Sequence, residues 1–477
     1  MKLVVIGGGV AGLAAAHRAV ELARERRVDL ELTLLEARER LGGTIATEHV
    51  DGFLVESGPD SFISEKPWAL ALCRRLGIED RLVRTDDGFR RTFVWHGGRL
   101  HPLPDGFQLL APTRITPLLT SSLFSWPGKL RMALDLVLPR GTPGGDETLG
   151  AFVRRRLGRE ALERVAQPLV AGIYTADPDE LSLRATMPRF LELERRERSV
   201  ILALWRAGRR APMAGTSGAR WSLFVTFARG MSELIDTLAS RLPAGAVRLK
   251  QRVSALERRD GRWRIALADG DTLDADRVVV ATESHAAARL LRYVDPQLGA
   301  LLGEIVYASS ATVSLGYRRA DVPHPLDGFG FVVPHTEGRA LLAGTFSSVK
   351  YPGRAPEGFV LLRAFLGGAL GASALEGGDD ELAARARREL ADALGVVAEP
   401  VLTRVHRHPA SMPQYRLGHL DRIETIEHKL KSLPGLALAG SAYRGVGIAD
   451  CVHSGETATE YLLGVERGSS RDGDERA

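Results

Sequence analysis

Cysteine is nearly absent: the 477-residue chain holds two, Cys73 and Cys451. A disulfide-stapled scaffold is therefore excluded, and two such distant thiols lack the clustered spacing of a zinc or iron–sulfur centre. No metal is expected, and a reducing compartment such as the cytoplasm fits. Charge of one sign is also lacking, because 64 Lys and Arg face 59 Asp and Glu for a net charge of +5. That small excess offers no case for a nucleic-acid partner. Long apolar runs are missing too: the stretches Leu109–Trp126 and Phe359–Leu375 are broken by Pro, Arg, Ser or Gly well short of the roughly 18 residues a bilayer span needs. The opening MKLVVIGGG shows no charged segment, apolar core and cleavage site in succession, so its apolar residues read as a first strand rather than an export signal. What is present is ordinary for a globular protein, 44% apolar and 26% charged residues. At roughly 150 residues per domain the length predicts two or three packed units. The 51 glycines gather in short runs beside apolar segments, which points to close backbone approaches.

The first of these runs follows the apolar strand Lys2–Ile6. Gly7-Gly8-Gly9-Val10-Ala11-Gly12 leads into LAAAHRAVELARER, helical in composition, and a second apolar run, Leu30–Leu35, ends in Glu36. Strand, glycine turn, helix and strand make a βαβ unit of dinucleotide-binding type. Gly7 permits the tight turn, Gly9 lets a pyrophosphate approach the backbone, and Gly12 lets the helix pack on the strand. The helix N-terminus, Ala11 included, faces the phosphates. Glu36 is placed to accept ribose hydroxyls. Two further turns follow, one with Arg40, Gly42, Gly43 and Thr44, the other FLVESGPDSF with Glu56, Gly58 and Pro59. Such returning turns suit a long, permanently held cofactor.

This arrangement resembles the flavin amine oxidase superfamily, and the implied cofactor is noncovalent FAD. Near the other end, LPGLALAGSAYRGVGIADCVHSGETATEYLL reads as a strand (Leu436–Ala439), a glycine-rich turn and a helix beginning near Gly447 or Ile448. Gly440 and the amides of Val446, Gly447 and Ile448 are then placed to favour negative charge on a reduced isoalloxazine. The strand Arg277–Val280 with Ala281 resembles the superfamily's second nucleotide-contacting strand, and Val253 is placed for a backbone contact to adenine. The fold class is α/β: a Rossmann-like FAD domain assembled from 1–85, 220–290 and 400–465. The segment 91–213 reads as mainly helical, and 291–399 as an antiparallel sheet plus helix that forms the substrate domain. The amphipathic helix 377–395 has a packing role, and 466–477 is expected to be a disordered tail. The basic, one-sided stretch LERRERSVILALWRAGRR reads as a solvated helix or, more sharply, as a membrane-surface contact.

More specifically, the chain resembles the bacterial oxygen-dependent porphyrinogen oxidases of haem biosynthesis, acting on protoporphyrinogen IX or coproporphyrinogen III. The most selective stretches are AGIYTADPDELSLRATMP and GSAYRGVGIADC; ETLGAFVRRRLG, TFSSVKYPGRAPEG and PQYRLGHLDR add to them. The resemblance implies removal of six electrons from a porphyrinogen, with O2 as acceptor and H2O2 as product. No catalytic side chain is then required beyond the flavin. It implies a propionate-binding arginine at Arg91, and leaves open whether Lys350, Arg354 and Arg363 face the cavity. It also leaves room for peripheral contact with the inner face of the cell membrane, for neighbouring haem-pathway enzymes, and for a homodimer. His96, His101, His406 and His408 read as core or surface residues, Cys451 as a small buried residue rather than a covalent flavin link, and Asp450 as a backbone cap. The alternatives are a flavin amine oxidase or carotenoid desaturase, which share the N-terminal site, and a flavin-holding tetrapyrrole-binding scaffold without turnover.

Overall fold

A computed structural model describes residues 1–89, 91–108, 111–141, 145–210 and 222–465. The expected tail at 466–477 and the boundary between 213 and 220 lie outside these residues. A five-stranded parallel sheet runs in the order Val247–Arg248, Glu31–Leu35, Lys2–Ile6, Arg277–Val280, Leu436–Leu438. Its central strand, Lys2–Ile6, pairs on one side with Glu31–Leu35 and on the other with Arg277–Val280. Leu3, Val4, Val5 and Ile6 are all buried, the continuous apolar run of a strand covered on both faces. Three distant stretches thus supply one sheet, as expected. The strand bounds Lys2–Ile6 and Arg277–Val280 match the sequence reading.

Two helices close one face of this sheet. Val10–Arg26 follows the first glycine turn, and Ile448–Leu462 follows the last strand. They touch at Gly455, where a Cβ would overlap the Ala11 carbonyl oxygen. One turn along, Thr459 Oγ1 donates to the Ala15 carbonyl at 2.9 Å. The contact that joins the chain's two ends therefore requires a glycine, since backbone lies where a side chain would be.

A seven-stranded sheet runs Leu402–Pro413, Tyr307–Arg318, Phe359–Gly367, Leu341–Phe346, Gly330–Val332, Thr92–His96, Arg99–Pro102. Two boundaries differ from the sequence reading. The hairpin Thr92–Pro102 belongs to this sheet and not to the helical segment, because Thr92–His96 pairs in parallel with Gly330–Val332. Leu402–Pro413 belongs to it as well, paired along its length with Tyr307–Arg318, so the C-terminal cofactor segment begins after it. Neither pairing partner is close in sequence, and local pattern carries no signal for it.

Alternation sorts the sheet's two faces. Phe93, Trp95, Val313 and Leu315 share a core with Leu382, Ala386 and Leu390 of the helix Asp379–Leu394, which has the expected packing role. Val94, Val332 and Ala343 join the core of the helical unit. In that unit the fully buried Arg156 meets the fully buried Asp135, with Nε to Oδ1 at 2.6 Å, and Asp135 also accepts from Ser199 Oγ at 2.6 Å. The helix Val200–Arg210 turns Val200, Ile201, Ala203 and Leu204 into the core, so the apolar side read as a membrane contact is occupied by packing. Among the described residues no helix is long and apolar enough to cross a membrane.

Gly455→Val should separate the two terminal helices, lowering stability by about 3 kcal/mol. Urea unfolding followed by circular dichroism measures this, and an unchanged midpoint would show that the close approach carries no weight.

Candidate cofactor site

The first glycine turn is built as its spacing demands. Gly7 has φ +108°, which favours glycine, and a Cβ there would lie 2.6 Å from the Ala281 carbonyl oxygen. A Cβ on Gly12 would overlap the Gly7 carbonyl oxygen. Gly9 differs: it is the N-cap of Val10–Arg26, and a Cβ there would meet no atom within 4 Å. The space above it is open, at the positive end of a 17-residue helix. Ala11 is buried beneath Gly455. Glu36 is oriented by two amides, Gly8 N–H on Oε2 at 2.7 Å and Arg38 N–H on Oε1 at 2.8 Å. Gln251 N–H donates to the Glu36 main-chain carbonyl at 2.8 Å, two residues before the strand that starts at Val253.

The second turn lies against the first. Gly42 N–H donates to the Gly8 carbonyl at 2.8 Å, and a Cβ on Gly43 would lie 3.5 Å from Gly9 Cα. Arg40 holds this turn from within, donating to the carbonyls of Leu41 (3.0 Å), Ile45 (2.9 Å) and Gly43 (2.7 Å). The third turn docks on the second, for a Cβ on Gly58 would overlap the Thr44 carbonyl oxygen, while Pro59 stays exposed.

Sequence reasoning missed what fixes the third turn. The Ser57 carbonyl accepts from Thr312 Oγ1 at 2.9 Å, Arg363 Nη2 at 3.0 Å and His408 Nε2 at 2.8 Å, and Arg363 also donates to the Gly58 carbonyl. The three donors sit on three adjacent strands of the seven-stranded sheet, tying it to the cofactor turn. Burial lowers the His408 pKa, so the neutral ring donates through Nε2. His406 beside it is likewise lowered by burial.

The remaining cations are committed within the protein. Arg354 donates to Thr226 Oγ1 at 3.0 Å and to the Phe227 and Ala228 carbonyls at 2.9 and 3.2 Å. Lys350 pairs with Asp60 at 3.2 Å. Burial would raise the Asp60 carboxyl, but Lys350 and Arg363 outweigh it and hold the pKa at about 2. Arg91 instead has a side chain 65% exposed and a 2.9 Å ion pair to Asp327, just before the paired strands Thr92–His96 and Gly330–Val332. His96 pairs with Glu337 at 2.6 Å, and His101 meets Ser122 at 3.0 Å. Both serve as local structure, as the sequence suggested.

The C-terminal turn completes the groove. Gly440 has φ +128°, and a Cβ there would lie 4.0 Å from the carbonyl of Thr282, next to Ala281 and the first turn. Gly445 N–H donates to the Tyr415 hydroxyl at 2.7 Å, and that hydroxyl donates to the Ser441 carbonyl at 2.5 Å. Val446 is half-buried, Ile448 is buried, and Gly447 is the exposed N-cap of Ile448–Leu462. Asp450 caps the helix, accepting from Gly447 N–H at 3.2 Å. Burial pushes the Cys451 thiol to about 12, so thiolate chemistry there is disfavoured. The turn rests on His419, whose Nε2 meets the Tyr443 carbonyl at 2.8 Å.

Main chain thus lines a groove with a helix N-terminus at either end, the Glu36 carboxylate beside the first turn and no side chain over Gly9 or Gly43. These residues fit a dinucleotide with a ring system at its far end. The sequence matches the profile of the flavin containing amine oxidoreductases over residues 10–463. The chain belongs to that family. The cofactor of this flavin containing amine oxidoreductase is FAD. Its sequence is 36% identical to the coproporphyrinogen III oxidase of Bacillus subtilis (strain 168), covering 97% of each chain. It is 39% identical to that of Propionibacterium freudenreichii subsp. freudenreichii, covering 97% of this chain and 90% of the relative. Its fold superposes with TM-score 0.85 and 32% identity on a crystal structure assigned as a protoporphyrinogen oxidase from Exiguobacterium sp. 255-15, covering 97% and 98% of the two chains.

Gly9→Val should fold, since its added atoms enter open space, yet purify colourless. Circular dichroism together with FAD absorbance per chain tests both halves, and yellow protein would remove Gly9 from the cofactor groove. His419 gives a pH dependence. Burial holds its pKa at about 4 against an ordinary 6.5. Below pH 6.5 the unfolded chain therefore binds a proton that the folded chain does not, and stability falls as pH drops from 6.5 to 4. The full difference is about 3 kcal/mol. His419→Gln should flatten that part of the stability–pH curve measured by urea unfolding; an unaltered slope would contradict the assignment.

Proposed function

We propose that this flavoprotein oxidises coproporphyrinogen III to coproporphyrin III, with three O2 consumed and three H2O2 formed per macrocycle. The observation that carries the reading is the near full-length likeness to two bacterial coproporphyrinogen III oxidases, 36% and 39% identical. It spans both cofactor ends and the sheet and helices between them.

The geometry supports it. FAD, when bound, accepts hydride equivalents and passes electrons to O2. The chain's own part is to hold a flat, electron-rich macrocycle beside the cofactor and keep other reactants out. The helix Gln167–Tyr174 packs against Leu341–Phe346, and it leaves Gly172 and Ile173 exposed, with nothing within 4 Å of a Cβ on Gly172. That open, side-chain-poor wall suits a planar ring. Burial raises the Tyr174 hydroxyl to about 12, so the residue beside this wall stays neutral. The aromatic product makes the reaction downhill and pyrrole protons leave to water, so no buried acid–base pair is needed. Arg91, exposed and ion-paired to Asp327, can exchange that partner for a substrate propionate, which a guanidinium binds bidentately.

The reading includes action in the cytoplasm at the inner face of the cell membrane. Its support is an exposed apolar stripe, Trp126, Leu130, Leu134 and Val137, on the helix Trp126–Ala133 and the turn after it. This is a different surface from the helix the sequence pattern suggested.

Initial rates with coproporphyrinogen III and protoporphyrinogen IX in air should favour the former by about tenfold in kcat/KM. The reverse order would assign the other substrate, and anaerobic mixing that leaves the flavin yellow would leave only a binding scaffold. Arg91→Ala should raise KM severalfold with FAD content intact; an unchanged KM would remove Arg91 from the substrate site.

A further inference from the structure

Asp450 lies in the first turn of Ile448–Leu462, the helix whose N-terminus ends the cofactor groove. A carboxylate there stabilises the helix, by capping Gly447 and by opposing the dipole. It also works against the dipole, since a negative charge at that end opposes further negative charge on a ring seated before it. Lys66 answers this. Its Nζ donates to Asp450 Oδ1 at 2.6 Å and Oδ2 at 2.8 Å, across 384 residues of chain. The Asp450 side chain is 10% exposed and that of Lys66 is 45% exposed.

The pair is not needed to fasten the two helices it links. Lys66 is the N-cap of Pro67–Leu76, and two residues on, Trp68 stacks on His453 with ring centroids 4.1 Å apart. Ala69, Leu72 and Cys73 of that helix share one buried core with Ala449, Cys451 and Val452. Apolar burial already holds the helices together. Two hydroxyls beside Asp450, those of Tyr174 and Tyr415, carry no charge, because burial, with Asp450 adding to it, raises their pKa.

We propose that Lys66 is a positioning and charge-tuning residue for the flavin: by neutralising Asp450 it leaves the helix N-terminus able to stabilise negative charge on the reduced isoalloxazine. The claim concerns the cofactor alone and stands whichever porphyrinogen is oxidised.

Sulfite affinity is the readout, because sulfite adds to oxidised flavin only as far as the protein stabilises the resulting negative charge, and bleaching at the flavin absorbance maximum measures it without turnover. In the FAD-loaded full chain, Lys66→Met should weaken sulfite binding by on the order of tenfold, and Asp450→Asn, which keeps a capping oxygen, should strengthen it by a similar factor. The double variant should return close to the parent value, and Lys66→Arg should keep it. If a single variant loses flavin on purification, titration is done after reconstitution with excess FAD. Thermal unfolding accompanies each titration. Opposite shifts that cancel in the double variant support the proposal. It is overturned if both single variants lower Tm while sulfite affinity stays at the parent value, if the two shift affinity in the same direction, or if either will not take up FAD at all.

Discussion

Where Gly455 crosses Ala11, two backbones approach as closely as a missing side chain allows, and the cofactor site depends on that approach. The helix starting at Val10 carries the first glycine turn, and the helix starting at Ile448 carries the last. Packed together through Gly455 and the Thr459–Ala15 hydrogen bond, they fix both ends of one groove relative to the parallel sheet beneath them. Dispersion and burial supply the adhesion, and the glycine sets the distance.

The second constraint is electrostatic and lies between domains. Ser57 sits on a turn whose carbonyl would be poorly satisfied in the interior, and donors from Thr312, Arg363 and His408 converge on it. Because these side chains stand on the seven-stranded sheet, any shift of that sheet relative to the parallel one breaks several buried hydrogen bonds at once. The glycine turns and the seven-stranded sheet are therefore held in register by backbone oxygens, with Arg363 acting as a clamp on the turn. The same logic recurs at Arg40 and Arg354, whose guanidinium groups also bind carbonyls. In this chain, arginines that look like ligand-binding cations in the sequence are often internal struts.

How much of this was legible in the sequence varied with the range of the interaction. The βαβ unit, its glycines and Glu36 follow from local steric and spacing rules, and the strand bounds Lys2–Ile6 and Arg277–Val280 were read correctly. The helix Asp379–Leu394 followed from its acidic first turn and apolar repeat. The hairpin Thr92–Pro102 and the strand Leu402–Pro413 were misallocated, since sheet membership depends on partner strands that are distant in sequence, Gly330–Val332 and Tyr307–Arg318. Lys66 drew no attention in sequence, a lone lysine before a proline, and only the fold sets it against Asp450.

By itself the sequence determined where backbone must come close to another group, because glycine spacing between a strand and a helix is a short-range steric matter. It determined the dinucleotide character of the site for the same reason. Tertiary structure alone decided which charges are spent inside the protein and which face the groove. A guanidinium or carboxylate has the same composition signature in either setting, and its partner is chosen by how distant segments pack.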